Sequence, residues 1–248
     1  MRRKEVEISA RMQALTALVT PGLRVCDVGC DHGFVSIYLV QKGIAPKVLA
    51  MDVRQGPLSH AQAHVAEWGL TDKIETRLSD GLLKMNQEEV DCMICAGMGG
   101  PLMIKILQES REKVLSLKEL ILQPQSEISR FREYLRTNGF HIIKEDMVFE
   151  DGKYYPMMKV IPRETEDQVD YNKEVPNTAE QQVFDLFGQC LLEHRHPVLK
   201  QYLEHSRNVT EVLIKKLKEQ KSERARERLP QLEEELKWIC RALTYFVV

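Results

Sequence analysis

The feature that most constrains this chain is an alternation, between residues 24 and 138, of short continuous apolar runs with longer helical patterns. Runs such as Val48-Leu49-Ala50-Met51 and Met93-Ile94-Cys95-Ala96 lack polar alternate positions, so both faces of such a strand must be covered. Buried strands that alternate with helices build a parallel sheet with helices on both sides, which makes the chain α/β. Strands are predicted over Arg24–Gly29, Lys47–Val53, Lys73–Ser79, Val90–Ala96 and Glu119–Gln123. Helices are predicted over Glu5–Val19, Phe34–Lys42, Pro57–Trp68, Leu82–Asn86, Pro101–Glu109 and Ile128–Asn138.

The rhythm then changes. Phe140–Phe149 and Tyr154–Ile161 are strand-like runs separated only by Glu150-Asp151-Gly152-Lys153, and Asp-Gly in that position signals an antiparallel hairpin. Residues Pro162–Thr178 are polar and read as a boundary loop. A helix over Glu180–Glu193 follows, and then two apolar seams. Leu199, Leu203, Ser206, Thr210, Leu213 and Leu217 form one; Leu229, Leu232, Leu236, Ile239, Leu243 and Phe246 form the other. Their three- and four-residue spacings predict a coiled-coil helical hairpin joined around Lys221–Arg224. The expected division is therefore a sheet domain over 1–165 and a helical domain over 177–248.

Composition excludes several classes. With 43% apolar and 29% charged residues in 248, the chain can bury a core without crosslinks. A net charge of −2 gives no global attraction to a polyanion, so such a partner must find a local basic patch. Candidates are Arg2, Arg3, Lys4 and Arg11, and the later run Lys215, Lys216, Lys218, Lys221, Arg224, Arg226 and Arg228, where interleaved glutamates argue for an ordinary solvated face. No apolar run is long enough to span a bilayer and the start is charged, so a cytoplasmic location is expected. Six scattered cysteines fit a reducing compartment. Cys92 and Cys95 spell C-x-x-C, but inside a buried strand, with no second pair to complete a zinc site. No metal is expected.

Polar, glycine-bearing turns follow four of the strands. The first is Asp27-Val28-Gly29-Cys30-Asp31-His32-Gly33, at the place where a doubly wound sheet binds ligands. Its G-x-x-x-G spacing lacks the middle glycine that a pyrophosphate requires, and Asp27 and Asp31 would repel phosphate but suit a cationic amino group. Asp52, followed by Val53, ends the second strand 23 residues after Gly29, where a carboxylate can accept hydrogen bonds from ribose hydroxyls. Ser79-Asp80-Gly81 follows the third strand, at the height of an adenine amino group. Cys95-Ala96-Gly97-Met98-Gly99-Gly100-Pro101 leaves the fourth, and its three glycines imply close backbone approach to a ligand or substrate. Any one of these turns has a plain structural reading; their coincidence predicts a pocket for a nucleoside-type cofactor.

These strings, with Lys73–Leu82, Leu122-Gln123-Pro124-Gln125 and Glu150-Asp151-Gly152-Lys153-Tyr154-Tyr155, resemble the bacterial tRNA adenine-22 N1-methyltransferases over nearly the whole chain. Ala96-Gly97-Met98-Gly99-Gly100 is the most specific of them. The resemblance implies a class I methyltransferase, Rossmann-like sheet closed by an antiparallel hairpin, S-adenosylmethionine as cofactor and tRNA as substrate. It gives cofactor-pocket places to Gly29, Asp31, His32, Gly33, Asp52, Asp80, Gly81, Gly97 and Met98, with Asp27, Val53 and Ala96 beside them. Cys30 and Gly33 stand where the family often has Ser and Ala, mild changes for a backbone-lined pocket.

N1 of adenine is itself a nucleophile, so transfer to it needs positioning more than proton removal. Asp31, Met98 and Gln123 are the residues expected nearest the reaction. Three other readings stay open on these residues: a methyltransferase of another RNA or a small molecule, a cofactor-binding scaffold that pairs through its helical hairpin, and a nicotinamide oxidoreductase, which the glycine spacing disfavours.

Overall fold

The computed structural model describes residues 5–162, 178–220 and 222–247. The chain divides into two compact units, Met1–Lys173 and Glu174–Val248. The predicted basic residues Arg2, Arg3, Lys4 and Lys221, and the boundary loop between residues 163 and 177, lie outside the described residues.

In the first unit the order is α1 (Ala10–Ala17), β1 (Val25–Val28), α2 (Phe34–Gln41), β2 (Val48–Asp52), α3 (Gln55–Glu67), β3 (Ile74–Leu78), β4 (Cys92–Met98), α4 (Gly100–Glu109), α5 (Arg111–Leu115), β5 (Glu119–Pro124), α6 (Ile128–Thr137), β6 (Phe140–Glu150) and β7 (Lys153–Pro162). The strands form a seven-stranded sheet in the order β3-β2-β1-β4-β5-β7-β6. β1 to β5 pair in parallel, while β7 is antiparallel to both β5 and β6. Asp151 (φ 49°) and Gly152 (φ 75°) make the β6–β7 turn, both left-handed as a tight two-residue hairpin turn requires.

Each buried strand serves two cores, because successive side chains point to opposite faces. Cys26, Val28, Met93, Cys95, Leu120 and Leu122 belong to one apolar cluster. Val25, Cys92, Ile94 and Ile121 belong to the other. Cys92 and Cys95 therefore stand on opposite faces and cannot share a ligand.

Several elements differ from expectation. The first helix is only Ala10–Ala17, because Ser9 caps it by accepting from the Met12 amide. No helix forms over Leu82–Asn86. Side chains take the backbone donors there: Ser79 Oγ accepts from the Lys84 amide and Glu89 from the Asn86 amide, so a turn replaces the helix. α5 was not expected, and β4 continues past Ala96 to Met98.

The second unit is helical: α7 (Ala179–Phe187), α8 (Gln189–Glu193), α9 (Pro197–Lys218), α10 (Glu223–Leu243) and a short 3-10 turn, Thr244–Phe246. Gly188, at φ 93°, breaks the expected Glu180–Glu193 helix into α7 and α8. α9 buries Leu199, Leu203, Thr210 and Ile214, so Ile214 takes the place predicted for Leu213, which is exposed. α10 buries Ala225, Leu232, Trp238, Ile239 and Ala242.

Candidate functional site

Parallel pairing places the carboxyl ends of β3, β2, β1 and β4 side by side, so the topology gathers all four polar turns at one end of the sheet. The turn after β1 is left-handed at Gly29 (φ 76°), Asp31 (φ 50°) and Gly33 (φ 76°). Asp tolerates that conformation better than most residues with a side chain. The amides of Gly29 and Cys30 donate to the Met51 carbonyl at 2.8 and 2.9 Å, which fastens the turn to β2.

Asp52 joins the first two turns. Its Oδ2 accepts from the Asp31 amide at 3.3 Å and its Oδ1 from the Arg54 amide at 2.9 Å. Those two bonds take about half the acceptor capacity of a carboxylate, leaving room for ligand hydroxyls. Val53, next in the chain, holds an apolar side chain 59% exposed at the rim. Asp27 lies deeper. It accepts from Ser36 Oγ at 2.7 Å, so it ties the first turn of α2 to β1. Burial pushes its carboxyl up to about 6; the Ser36 hydrogen bond opposes the shift and the charge of Asp52 adds to it. Asp31, by contrast, is exposed, with Oδ2 3.9 Å from His32 Nε2.

At β3, the structure uses Ser79 internally. It is buried, its amide donates to the Asp52 carbonyl at 2.9 Å and its hydroxyl to the Gly81 carbonyl at 2.9 Å, so Asp80 is the exposed polar group of that turn. Gly81 (φ 51°) packs against Ile106.

The fourth turn is built differently. β4 and β5 shift register between Ala96 and Met98, and Gly97 (φ 81°) sits in that irregularity. The kink aims Met98 back across the sheet, where a Cβ on Gly29 would overlap its Cε methyl. Met98 Sδ lies 3.7 Å from Cys95 Sγ, a thiol that burial pushes up to about 12 and leaves inert. Gly99 and Gly100 do not open toward a ligand as expected. A Cβ on Gly99 would meet Ser126 Oγ at 2.9 Å, and one on Gly100 would meet the Ser126 carbonyl at 2.7 Å. These glycines admit the β5–α6 loop, which is held by Gly100 N to Ser126 O (3.0 Å) and Gln125 N to Met98 O (2.8 Å).

Gln123, next to last in β5, is 1% exposed. Its Oε1 accepts from Arg11 Nη1 at 2.8 Å, and its Nε2 donates to the Pro124 carbonyl at 3.2 Å. Arg11 is thereby drawn away from the role of phosphate contact. Its guanidinium lies 4.8 Å from the Tyr155 ring centroid, and its amide donates to Glu150 Oε1 at 3.1 Å. Sequence reasoning missed this use of Arg11, since one cation on an opening helix carries no sign of what it will face. It also missed a group of rings beside the first turn, although His60 and His64 at helical i, i+4 spacing were a visible signal.

An α/β sheet with this strand order, acids at the ends of its first two strands and a glycine turn without a phosphate cradle define a nucleoside-cofactor transferase domain. The chain belongs to the methyltransferase-domain family, whose model matches residues 8–158. It is 32% identical over 154 residues to the tRNA (adenine(22)-N(1))-methyltransferase of Bacillus subtilis strain 168; the match covers 62% of this chain and 65% of that relative, less than two thirds of its length. Among solved structures it resembles a protein of the NADB-Rossmann superfamily from Streptococcus agalactiae, with 30% identity, TM-score 0.80, and coverage of 96% of this chain and 98% of that one. It also resembles Streptococcus pneumoniae Sp1610, a candidate tRNA (m1A22) methyltransferase solved in complex with S-adenosyl-L-methionine, with 28% identity, TM-score 0.79, and coverage of 96% and 100%.

Proposed function

We propose that this protein methylates N1 of adenine 22 in the D-arm region of tRNA, with S-adenosylmethionine as methyl donor. The observation that carries the reading is likeness along 96% of the chain to the cofactor-bound Streptococcus pneumoniae structure, combined with the acids gathered around the first two turns. The residues fit the cofactor by their chemistry. Asp52 suits ribose hydroxyls, Val53 can cover an adenine face, and Asp80 can accept from an exocyclic amine. Asp27, Gly29, Asp31, Gly33 and the backbone of His32 face the amino-acid portion, with Gly81, Ala96, Gly97 and Met98 closing the other side. When bound, the cofactor supplies an electrophilic methyl on a sulfonium.

The chain's own residues then have to present adenine N1 and exclude water. N1 needs no base, because its lone pair is the nucleophile. Methylation leaves the ring positively charged, so the exposed Asp31 carboxylate beside the first turn favours the product electrostatically. Met98, held over Gly29 by the kink at Gly97, forms the apolar wall between the two substrates. Gln123 is a positioning residue: clamped by Arg11, it holds the Pro124 carbonyl and so the loop that carries Gln125.

The sheet domain, residues 1–165, is assigned the chemistry, and the helical domain, 177–248, a part in gripping tRNA. α9 and α10 are read as a coiled coil whose basic residues meet phosphate, with self-association through the same hairpin a further use of it. No helix among the described residues is long and apolar enough to cross a membrane. A cytoplasmic location follows from the substrate rather than from that observation. Calorimetry should show binding of S-adenosylmethionine and none of NAD, and labelled methyl should pass to bulk tRNA. Binding of NAD alone would return the pocket to oxidoreductase chemistry.

A further inference from the structure

Four aromatic rings are filed along the outside of the first turn. His60 and His32 stack with centroids 5.2 Å apart and planes 11° apart; His32 and Phe34 are 6.1 Å and 22° apart; Phe34 and His64 are 4.7 Å and 21° apart. Their placement is built in. His60 and His64 lie one turn apart on the same face of α3. Gly33, between His32 and Phe34, lets that face come close, since a Cβ there would stand 3.1 Å from the Ala61 Cβ. His64 Nδ1 lies 2.9 Å from the His32 carbonyl and fixes the register.

Core packing does not explain this file. The close approach of α3 to this turn is made by Gly33 against Ala61, whereas Phe34 is 39% exposed and His60 is exposed. A metal does not explain it either: among the described residues no group of three or more His, Cys, Asp or Glu side chains is placed to hold one. Exposed, near-parallel π-faces held on a rigid backbone are what an unstacked nucleobase binds, and such binding tolerates any base.

We propose that the His60, His32, Phe34 and His64 stack is a docking site for an unpaired base of the RNA substrate, next to the pocket that receives the target adenine. This rests on the RNA reading of the function. The cofactor's adenine is assigned the Asp52–Val53 edge, so the base on this stack comes from the RNA. Extruding a target base unstacks its neighbours, and a platform beside the pocket holds the neighbour that follows it out.

The test uses the full-length enzyme and a tRNA transcript, with His60→Ala and His60→Phe. His60 is exposed on a helix and contacts no proposed catalytic or cofactor group except the His32 ring, so both variants should melt as wild type. His60→Ala should raise KM for tRNA about tenfold, the loss expected for one stacked base, with kcat at saturating tRNA unchanged. His60→Phe, which keeps a π-face and loses the imidazole nitrogens, should restore KM. A KM for His60→Ala within twofold of wild type overturns the inference, as does a His60→Phe variant as weak as His60→Ala. A matching loss of S-adenosylmethionine affinity would assign the stack to the cofactor instead. Equilibrium binding of labelled tRNA to wild type and His60→Ala reads the same site without turnover. Wild type that binds tRNA through His60 but transfers no methyl would overturn the proposed reaction and keep the stack; wild type that turns over while His60→Ala matches it in KM and binding would do the reverse.

Discussion

The turns after β1 and β4 look alike in sequence, each a glycine-rich exit from a buried strand, yet their glycines do different work. In the first turn, Gly29 and Gly33 have φ of 76° and the backbone itself is the special feature. In the fourth, only Gly97 is left-handed; Gly99 and Gly100 are needed because the β5–α6 loop presses on them, through the Ser126 hydroxyl at Gly99 and the Ser126 carbonyl at Gly100. The first turn, fastened to Asp52, is the proposed ligand cradle, and the fourth is a joint between β4 and the β5–α6 loop. Glycine content marks close approach without saying what approaches; at Gly99 and Gly100 it is the chain itself.

The largest effect should come at the residue that links the first two turns. Asp52→Ala removes a carboxylate that would accept from two ribose hydroxyls, each such bond contributing about 1.5–3 kcal/mol, and frees the Asp31 amide as well. Calorimetry should show cofactor affinity falling at least ~100-fold, while thermal stability falls much less.

Paired glycine substitutions sharpen the contrast directly. Gly100→Ala drives a Cβ against the Ser126 carbonyl, a backbone atom that cannot step aside, and should cost about 3 kcal/mol of folding stability in denaturant titrations. Gly29→Ala meets only the flexible tip of Met98, so its folding cost should be nearer ~1–2 kcal/mol, chiefly from the left-handed φ, and its main loss should be cofactor binding. If Gly100→Ala folded normally and lost only the cofactor, the two turns would not differ as described.

A smaller effect tests burial beneath the first turn. Asp27 has its carboxyl pushed from 3.8 to about 6, so the native state holds a proton that the unfolded chain releases. Stability associated with this group is full below pH ~4 and is lost as pH rises through ~6. Asp27→Asn keeps an acceptor for Ser36 and removes the titration, so its stability relative to wild type should rise by about 2–3 kcal/mol between pH 4 and pH 7. A pH-independent difference would mean that Asp27 is not buried as described.

The smallest expected change is at the β5 end. Arg11→Ala should lower kcat only several-fold, since it loosens Gln123 rather than removing a reacting group. A loss confined to the KM for tRNA would return Arg11 to phosphate binding.

The sheet was legible because continuous apolar runs leave few alternatives; Val48–Asp52 and Cys92–Met98 fall where the pattern put them, within two residues at each end. The Asp151-Gly152 hairpin was legible because local turn chemistry decides it. What escaped was decided by particular side-chain and loop partners, some near in the chain and some far. The turn at Leu82 depends on Ser79 and Glu89, the burial of Gln123 on an arginine 112 residues away, and the fit of Gly100 on a loop 26 residues further on. Leu213 misled because apolar spacing cannot choose between adjacent residues, and the helix buries Ile214.

The central claim is that the pocket beside the first turn delivers methyl to one ring nitrogen of one nucleotide. Two tRNA transcripts, identical except for adenine or guanine at position 22, should be incubated with the enzyme and S-adenosylmethionine, digested to nucleosides and resolved by mass spectrometry. The account predicts 1-methyladenosine from the adenine-22 transcript and none from its partner; equal methylation of both, or methyl on another atom, would contradict it.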